Sequence, residues 1–395
     1  MPQLAEYKDC TGCSACMNAC AHSAITMKAS QEGFLYPSID KSLCVQCGLC
    51  EQVCPVLKLI PTDNTANPQA FAMWHNQDRI LSSSGGAFSA FARNVLAQGG
   101  KVFGAAFDED LNLRHISISS TDELSLLRGS KYVQSNIGST LKEVKKLLIG
   151  GKPVLYCGTP CQIAGLKSFL RKPYSNLLTL DLVCHGVPSS KVFHSYLNKL
   201  QKKQGMGKVQ GYEFRRLEGW GYSPSVNVKE KTKKLYGIDN LYMEAFSASA
   251  LFRESCYHCL FAQFPRQGDC SIADFWGIGR HGIPFKYDVM KGVSLILANN
   301  KQGEDAIKKL QDSFVVERDL KEALIENYNI NHPSKRHPYR DEVIKDFLNE
   351  NTSLSEINNK YHLLDSSLKG IIKMYASKWG LFSIVKRIYN KYKSL

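Results

Sequence analysis

Cys10, Cys13, Cys16 and Cys20 recur further along the chain as Cys44, Cys47, Cys50 and Cys54 with every internal spacing kept, each run reading C-x-x-C-x-x-C-x-x-x-C. Nothing else in the sequence restricts its folding so tightly. Three thiolates on one tight loop can face three irons of a cube, and the chain must travel further to bring in a fourth, so the last cysteine of each run reaches the cluster of the other. Cys10, Cys13, Cys16 and Cys54 are therefore expected around one [4Fe-4S] cluster, and Cys44, Cys47, Cys50 and Cys20 around a second. Zinc sites made of C-x-x-C pairs would show two pairs divided by a longer loop.

The spacing is that of bacterial two-cluster ferredoxins. Pro55 follows Cys54 as that pattern expects, whereas Ala21 follows Cys20 and loses some turn rigidity but no ligand. Two adjacent clusters form an electron wire, and the rest of the chain should hold whatever accepts or supplies the electrons. The 395 residues suit two or three domains. Fourteen cysteines would fit a secreted disulfide scaffold only behind a signal peptide, and the opening MPQLAEYKDC has neither a basic nor an apolar stretch. A reducing cytoplasm is expected, where spaced cysteines serve metals or redox chemistry. No apolar run reaches the roughly 18 residues of a membrane-spanning helix.

The expected fold class is α+β / mixed α/β. It comprises a bacterial ferredoxin-like domain at 1–60, a polar linker "PTDNTANPQ" at 61–69, a mixed α/β body in two subdomains at 70–150 and 151–320, and a basic helical tail at 321–395. A helix should follow Ser84, Gly85 and Gly86, and "GGKVFGAAFDEDLNLRHISIS" should give two strands joined by an acidic turn. "KPVLYCGTPCQIAGLKSFL" and "NLLTLDLVCHGVPSSKVFHSYLNKLQ" each read as strand, turn, helix, which makes a right-handed βαβ unit with parallel strands. Residues 208–236 read as an antiparallel ribbon with "KEKTKK" as its solvated turn, and "KGVSLILANN" as a strand before the helix of "GEDAIKKLQDSF".

Six cysteines remain. Cys161 follows the "GTP" turn at a helix start, and Cys184 closes the strand "LLTLDLVC". Ligands of open parallel sheets sit outside the strands' carboxyl ends where strand order switches, so these thiols should converge on one crevice. A helix N-terminus also favours thiolate at Cys161. With Cys256 and Cys259 of "RESCYHCL" the count reaches four, enough for a third [4Fe-4S] cluster; a zinc site on the same four or a redox dithiol at Cys256–Cys259 are the alternatives. His185 and His258 adjoin these cysteines and read as hydrogen-bonding neighbours, while Cys157 and Cys270 read as small buried hydrophobes. Gly277, Gly279 and Gly282 spell G-x-G-x-x-G, but "IPFKYDVMKG" has no helical periodicity behind them, so nicotinamide binding is not expected. Asp274, in the "ADFWG" turn, reads as structural, with a part in holding a cofactor site as the alternative.

"SSSGGAFSA", "GSKYVQS", "GTPCQIAGLK", "DLVCHGVPS", "RESCYHC" and "SIADFWGIG", in that order, together resemble the family of coenzyme F420 hydrogenase/dehydrogenase beta subunits, F420 being a deazaflavin. The resemblance implies a flavin-binding body in which FAD lies beside a [4Fe-4S] cluster held by Cys161, Cys184, Cys256 and Cys259. It also implies that Ser84, Gly85, Gly86, Ser130 and Lys131 face the flavin. Small residues ahead of a helix let backbone N–H groups approach a pyrophosphate, and Lys131 could neutralise its charge or sit near the ring; a helix cap at Ser84 and a plain turn at Gly129 are the simpler readings.

The function expected is an FAD- and [4Fe-4S]-dependent oxidoreductase: electrons enter through the ferredoxin domain from a ferredoxin or other redox protein and reach a small two-electron substrate, coenzyme F420 or another. The alternative is a non-catalytic electron-transfer subunit. Net charge is +14, yet the basic residues are not interleaved with aromatics on one face, so no nucleic-acid partner is expected. From Gly370 on there are six Lys or Arg and no acid. Ile371, Met374, Leu381, Ile384, Val385 and Ile388 fall near helical spacing among Lys373, Lys378, Lys386, Arg387 and Lys391, so the tail suits an anionic membrane surface, or docking on the body or a partner.

Overall fold

The computed structural model describes residues 1–59, 62–215 and 224–365, with isolated positions between 367 and 385. Each cysteine run is a tight loop entering a short helix that carries its third cysteine, α1 (Ala15–Ala19) in the first and α2 (Leu49–Gln52) in the second. Between them β1 (Ile25–Ala29) and β2 (Leu35–Ile39) form an antiparallel hairpin. The repeat extends to the backbone. Gly12 and Ser14 in the first run, and Gln46 and Gly48 at the equivalent places in the second, all take positive φ (70°, 61°, 56° and 72°). Left-handed residues set among right-handed ones curl N–H groups toward a common centre, a concavity that suits an anionic occupant.

The body is built on a sheet that takes up β3 (Gln69–His75), β4 (Lys101–Phe107), β5 (Leu113–Ile118), β6 (Val154–Gly158) and β7 (Leu177–Leu182). The chain then forms a separate antiparallel ribbon, β8 (Gly211–Glu213), β9 (Ser225–Val228) and β10 (Lys231–Lys234), and returns with β11 (Cys270–Asp274), β12 (Ser294–Ala298) and β13 (Ser313–Arg318). The eight strands lie in the order β13-β3-β12-β11-β7-β6-β4-β5, with β4, β6, β7 and β11 parallel. Helices α3 (Ala87–Ala97), α4 (Leu124–Leu127), α5 (Thr140–Ile149), α6 (Pro160–Leu170), α7 (Ser190–Gln204), α8 (Leu241–Ser247) and α9 (Lys301–Lys308) connect them. α10 (Leu320–Ile325), α11 (Arg340–Leu348) and α12 (Leu354–Tyr361) follow.

The step from β3 to β4 crosses the sheet one way, and the steps β4 to β6 to β7 to β11 come back, so right-handed crossovers place their helices on opposite faces. One face buries Phe91 of α3, Leu124 of α4 and Ile307 of α9 with Val102, Leu155 and Ile296 of the sheet. The other buries Leu141 and Val144 of α5 and Ile163 and Leu166 of α6 with Phe103 and Tyr156. Cys13, Ala15 and Val53 of the N-terminal domain join this second cluster, which docks that domain on α5 and α6. A third core, rich in aromatics such as Phe193, Tyr212 and Tyr242, unites α7, α8, α11 and α12 with the ribbon.

Directed polar contacts fix the docking. Asn18 Nδ2 donates to Gly138 O at 2.8 Å, Gln134 Nε2 to Thr11 O at 3.0 Å, and Arg340 Nη2 to Glu32 at 2.8 Å. A neutral hydrogen bond contributes about 1 kcal/mol and one between charged groups about 1.5–3 kcal/mol. Together these bonds rival the apolar contribution of Ala15 and Val53, and unlike it they specify the orientation of the domain.

Several local expectations need correction. The ribbon's turn is confined to Lys229 and Glu230, because Lys231–Lys234 pairs with β9 as an exposed strand. The helix expected over "GEDAIKKLQDSF" stops at Lys308; Asp312 takes a φ of 47°, and Ser313–Arg318 becomes an edge strand on β3. The linker is not free chain, for Asn64 Nδ2 donates to Arg266 O at 2.6 Å and to Gly268 O at 2.9 Å, and β3 already begins at Gln69. Beyond Asp365 most of the tail, including Ile371, Met374, Ile388, Lys373, Lys386, Arg387 and Lys391, lies outside the described residues. Among the described residues no helix is long and apolar enough to cross a membrane.

Candidate redox site

Two small cavities in the N-terminal domain divide the eight cysteines into two groups of four. Cys10, Cys13, Cys16 and Cys54 line one, and Cys20, Cys44, Cys47 and Cys50 the other. Burial, with Cys10 and Cys54 close by, pushes the Cys16 thiol up to about 12, and Cys13 rises likewise. Thiols held this far from water resist ionising on their own, which fits ligation by a cationic centre that removes their protons. The first quartet faces the body and the second faces out, with Cys47 exposed. The two are electrostatic neighbours through Cys16 and Cys50.

A third quartet forms in the body. Thr159 and Pro160 start α6: Pro160 holds its first position, Gln162 Oε1 accepts from Thr159 N–H at 2.9 Å, and Cys161 stands in the first turn. Cys184 leaves β7, and Cys256 and Cys259 close a loop held by Arg253 and Arg266. Burial raises all four thiols, and neighbouring thiols add to it at three of them: Cys161 goes to about 11 with Cys259 beside it, and Cys184 to about 12 with Cys161 and Cys259. Cys256 feels the other three. The thiolate-favouring effect expected of the α6 N-terminus at Cys161 is therefore outweighed by burial. Thr159 Oγ1 lies 3.2 Å from Cys161 Sγ, and buried Arg266 lowers the burden on Cys184 and Cys259. Among the described residues, no three His, Cys, Asp or Glu side chains close on a single-ion site; zinc draws thiolates to about 2.3 Å. Neither histidine joins the quartet's thiols: His258 pairs with Asp9 at 3.1 Å, and the His185 ring stacks 6.2 Å from Phe246.

Cys161 and Cys184 also border a cleft of about 280 Å³. It opens at the carboxyl ends of β6, β7 and β11, through Thr159, Val183 and Asp274. Strand order runs on without reversal there, so the crevice expected at a switch point lies at strand ends alone. Ser84, Gly86, Ser130 and Lys131 line it. Gly85 does not; it is wedged between β3 and β12, where a Cβ would stand 2.2 Å from Met73 O, which is why only glycine fits. Gly86 begins α3 at φ 90°. Ser84 is no helix cap, since its Oγ donates to Val293 O at 3.0 Å. Lys131 Nζ donates to Arg128 O at 2.8 Å and to Leu127 O at 3.1 Å, capping α4, and burial brings it down to about 8.

Arg215 and His115, which also line the cleft, escaped the sequence reading. Arg215 pairs bidentately with Asp274, its Nη2 at 3.0 Å, and lies 5.3 Å over Trp276. On the floor, His115 is held neutral by burial, its pKa down at about 4. Its Nε2 faces Cys157 O at 3.0 Å and so carries the proton, leaving Nδ1 to accept from Ser135 Oγ at 2.8 Å, which in turn accepts from Gln162 Nε2 at 3.0 Å. Small residues, the α3 N-terminus and Lys131 stand on one rim and suit a phosphate group, while Arg128 is taken up by Asp78 and by Ser89 Oγ at 3.2 Å. Cys157 and Cys270 lie buried in the core beneath α3.

Residues 151–322 match a family model for the C terminus of the coenzyme F420 hydrogenase/dehydrogenase beta subunit, and residues 9–57 match one for a 4Fe-4S dicluster domain. Residues 151–322 thus carry the C-terminal module of the coenzyme F420 hydrogenase/dehydrogenase beta-subunit family, behind a two-cluster ferredoxin module. The first match spans Cys161, Cys184, Cys256 and Cys259, the second all eight cysteines of the repeat. The chain is 22% identical over 338 residues, 78% of its length and 91% of the relative's, to one of the subunits of F(420)H(2) dehydrogenase, the one designated F, from Methanosarcina mazei. It is 25% identical over 182 residues to a coenzyme F420-dependent sulfite reductase of Methanocaldococcus jannaschii, covering 45% of this chain and 28% of that protein. A chain of the F420-reducing [NiFe] hydrogenase complex from Methanosarcina barkeri superposes with a TM-score of 0.44 at 17% identity, over 71% of this chain and all of that one. The protein is thus an iron–sulfur electron-transfer protein of an oxidoreductase family, related to F420 hydrogenase and dehydrogenase beta subunits.

Proposed function

We propose that this protein is an iron–sulfur flavoprotein oxidoreductase that passes electrons between a ferredoxin-type redox partner and a small two-electron substrate, coenzyme F420 or another. When bound, [4Fe-4S] clusters carry single electrons and FAD converts them to pairs. The chain's residues supply the arrangement. One observation carries the reading: α6 touches all three parts. Its Gly165 rests against Cys13 of the inner quartet, its Cys161 belongs to the third quartet, and Cys161 also borders the cleft. The order is then the outer quartet, with Cys47 exposed, the inner quartet, the third quartet, the cleft.

Within that order each group has a role. Cys161, Cys184, Cys256 and Cys259 would hold a third cluster, with zinc on the same four thiols as the alternative that metal analysis separates. Thr159 Oγ–H donates to Cys161 Sγ, and such bonds tune a cluster's potential. Ser84, Gly86 and Ser130, on the cleft rim, receive the flavin's phosphates, while neutral His115 keeps the floor rigid.

The relation to one of the subunits of a dehydrogenase favours a second reading, in which the chain only relays electrons inside a larger complex. Anaerobic assay of the isolated chain with reduced ferredoxin and a deazaflavin separates the two. Steady turnover supports the enzyme; reduced clusters without turnover of a deazaflavin or any other two-electron acceptor leave the relay.

A further inference from the structure

Arg253 directly precedes the loop that carries Cys256 and Cys259, and its side chain is fully buried. Its Nε donates to Cys10 O at 2.6 Å, its Nη2 to Leu35 O at 3.1 Å and its Nη1 to Gln134 Oε1 at 3.2 Å, and the guanidinium lies 3.9 Å over the Tyr36 ring. Its backbone N–H donates to Val187 O, beside the Cys184 segment, at 3.0 Å. Every one of these partners is uncharged. Among the described residues no carboxylate pairs with it, whereas the neighbouring buried Arg266 is matched by Asp181 at 2.9 Å. A buried cation without a counter-charge is strongly destabilising. Its field bears on the Tyr36 phenol beneath it and on the Cys161 thiol, and it grips the backbone carbonyl of Cys10.

We propose that Arg253 is a positioning and potential-setting residue shared by two iron–sulfur centres, the inner one of the N-terminal domain and the third one of the body. It supplies positive charge to both and holds the Cys10 loop at a fixed distance from the Cys256–Cys259 loop. The assignment rests on the third quartet holding a cluster. Its consequence is specific: each centre gains an electron more readily than it would without this charge, while the outer centre of Cys20, Cys44, Cys47 and Cys50 is indifferent to it. Gly12 fits the same arrangement, since a Cβ there would stand 3.0 Å from Arg253 Nη1.

The test is an anaerobic redox titration followed by electron paramagnetic resonance on the full chain, wild type against Arg253→Gln and Arg253→Lys. R253Q should lower the reduced-to-oxidised ratio of the inner and third centres about tenfold at a fixed potential, about 59 mV for a one-electron couple. The outer centre should not move. R253K, which keeps the charge but not the fork of hydrogen bonds, should restore most of the potential. If R253Q does not assemble, R253K decides alone: a ratio within about threefold of wild type supports the assignment, and a tenfold fall overturns it. Three assembled centres with unshifted potentials in R253Q overturn the role of Arg253 and leave the third cluster standing. A wild-type chain without a third signal overturns both.

Discussion

Gly165 offers a substitution in which two effects of known size oppose each other. In an ordinary helix, Gly→Ala is favourable by about 1 kcal/mol, because alanine restricts the unfolded chain. In α6 the added Cβ would stand 2.8 Å from Cys13 Cβ and 2.9 Å from its Sγ. Overpacking of this kind costs about 1–3 kcal/mol. The neighbour cannot swing aside, since Cys13 is buried and engaged with the other thiols of its quartet. The net effect of Gly165→Ala should be a loss of up to about 2 kcal/mol, concentrated on the inner centre and on the seating of the N-terminal domain. Anaerobic urea unfolding measures the first. The rate at which the inner centre's signal bleaches in air, compared with the outer one's, measures the second. A variant as stable as wild type, with both centres bleaching as before, would refute the claim that α6 is the strut between the two quartets.

Cys161→Ala should lower the iron content by about four per chain while Cys157→Ala leaves it unchanged, a difference that iron analysis of anaerobically purified protein reads directly. Asp274→Asn removes the charge that Arg215 is paired with in the cleft, and breaking a largely buried pair of this kind should cost about 3 kcal/mol in urea unfolding and weaken flavin retention on gel filtration. His115 has its pKa depressed to about 4 against about 6.5 unfolded, so the unfolded chain takes up the proton first and stability falls as pH drops through that window. Between pH 7 and pH 5 that loss is about 2 kcal/mol, and it should be missing in His115→Gln when urea midpoints are compared at the two pH values.

The cysteine repeat was legible because a cluster dictates ligand spacing along the chain itself. The βαβ unit at β6, α6 and β7 was legible for a similar local reason: apolar strands of "VLYCG" and "LLTLDL" type, a Thr-Pro helix start, short turns. The edge strand β13 was not, since "SFVVER" closely follows helix α9 and owes its state to pairing with β3. Arg253 and Arg266 escaped because what makes them structural is distant. Their partners are largely backbone carbonyls, such as those of Cys10, Leu35 and Ile330, and carbonyls leave no mark in a sequence. Gly165 is the same case: its reason for being glycine is Cys13. The family motifs located the cleft, but only packing distinguishes Gly86, which faces it, from Gly85, which does not.

The central claim is that four thiols gathered from α6, β7 and the Cys256–Cys259 loop hold an iron–sulfur cluster beside a flavin. Iron, zinc and flavin should be quantified on the intact chain purified without oxygen. The account predicts about 12 iron atoms per chain, negligible zinc and a stoichiometric FAD. About 8 iron atoms together with zinc, or a body without flavin, would contradict it.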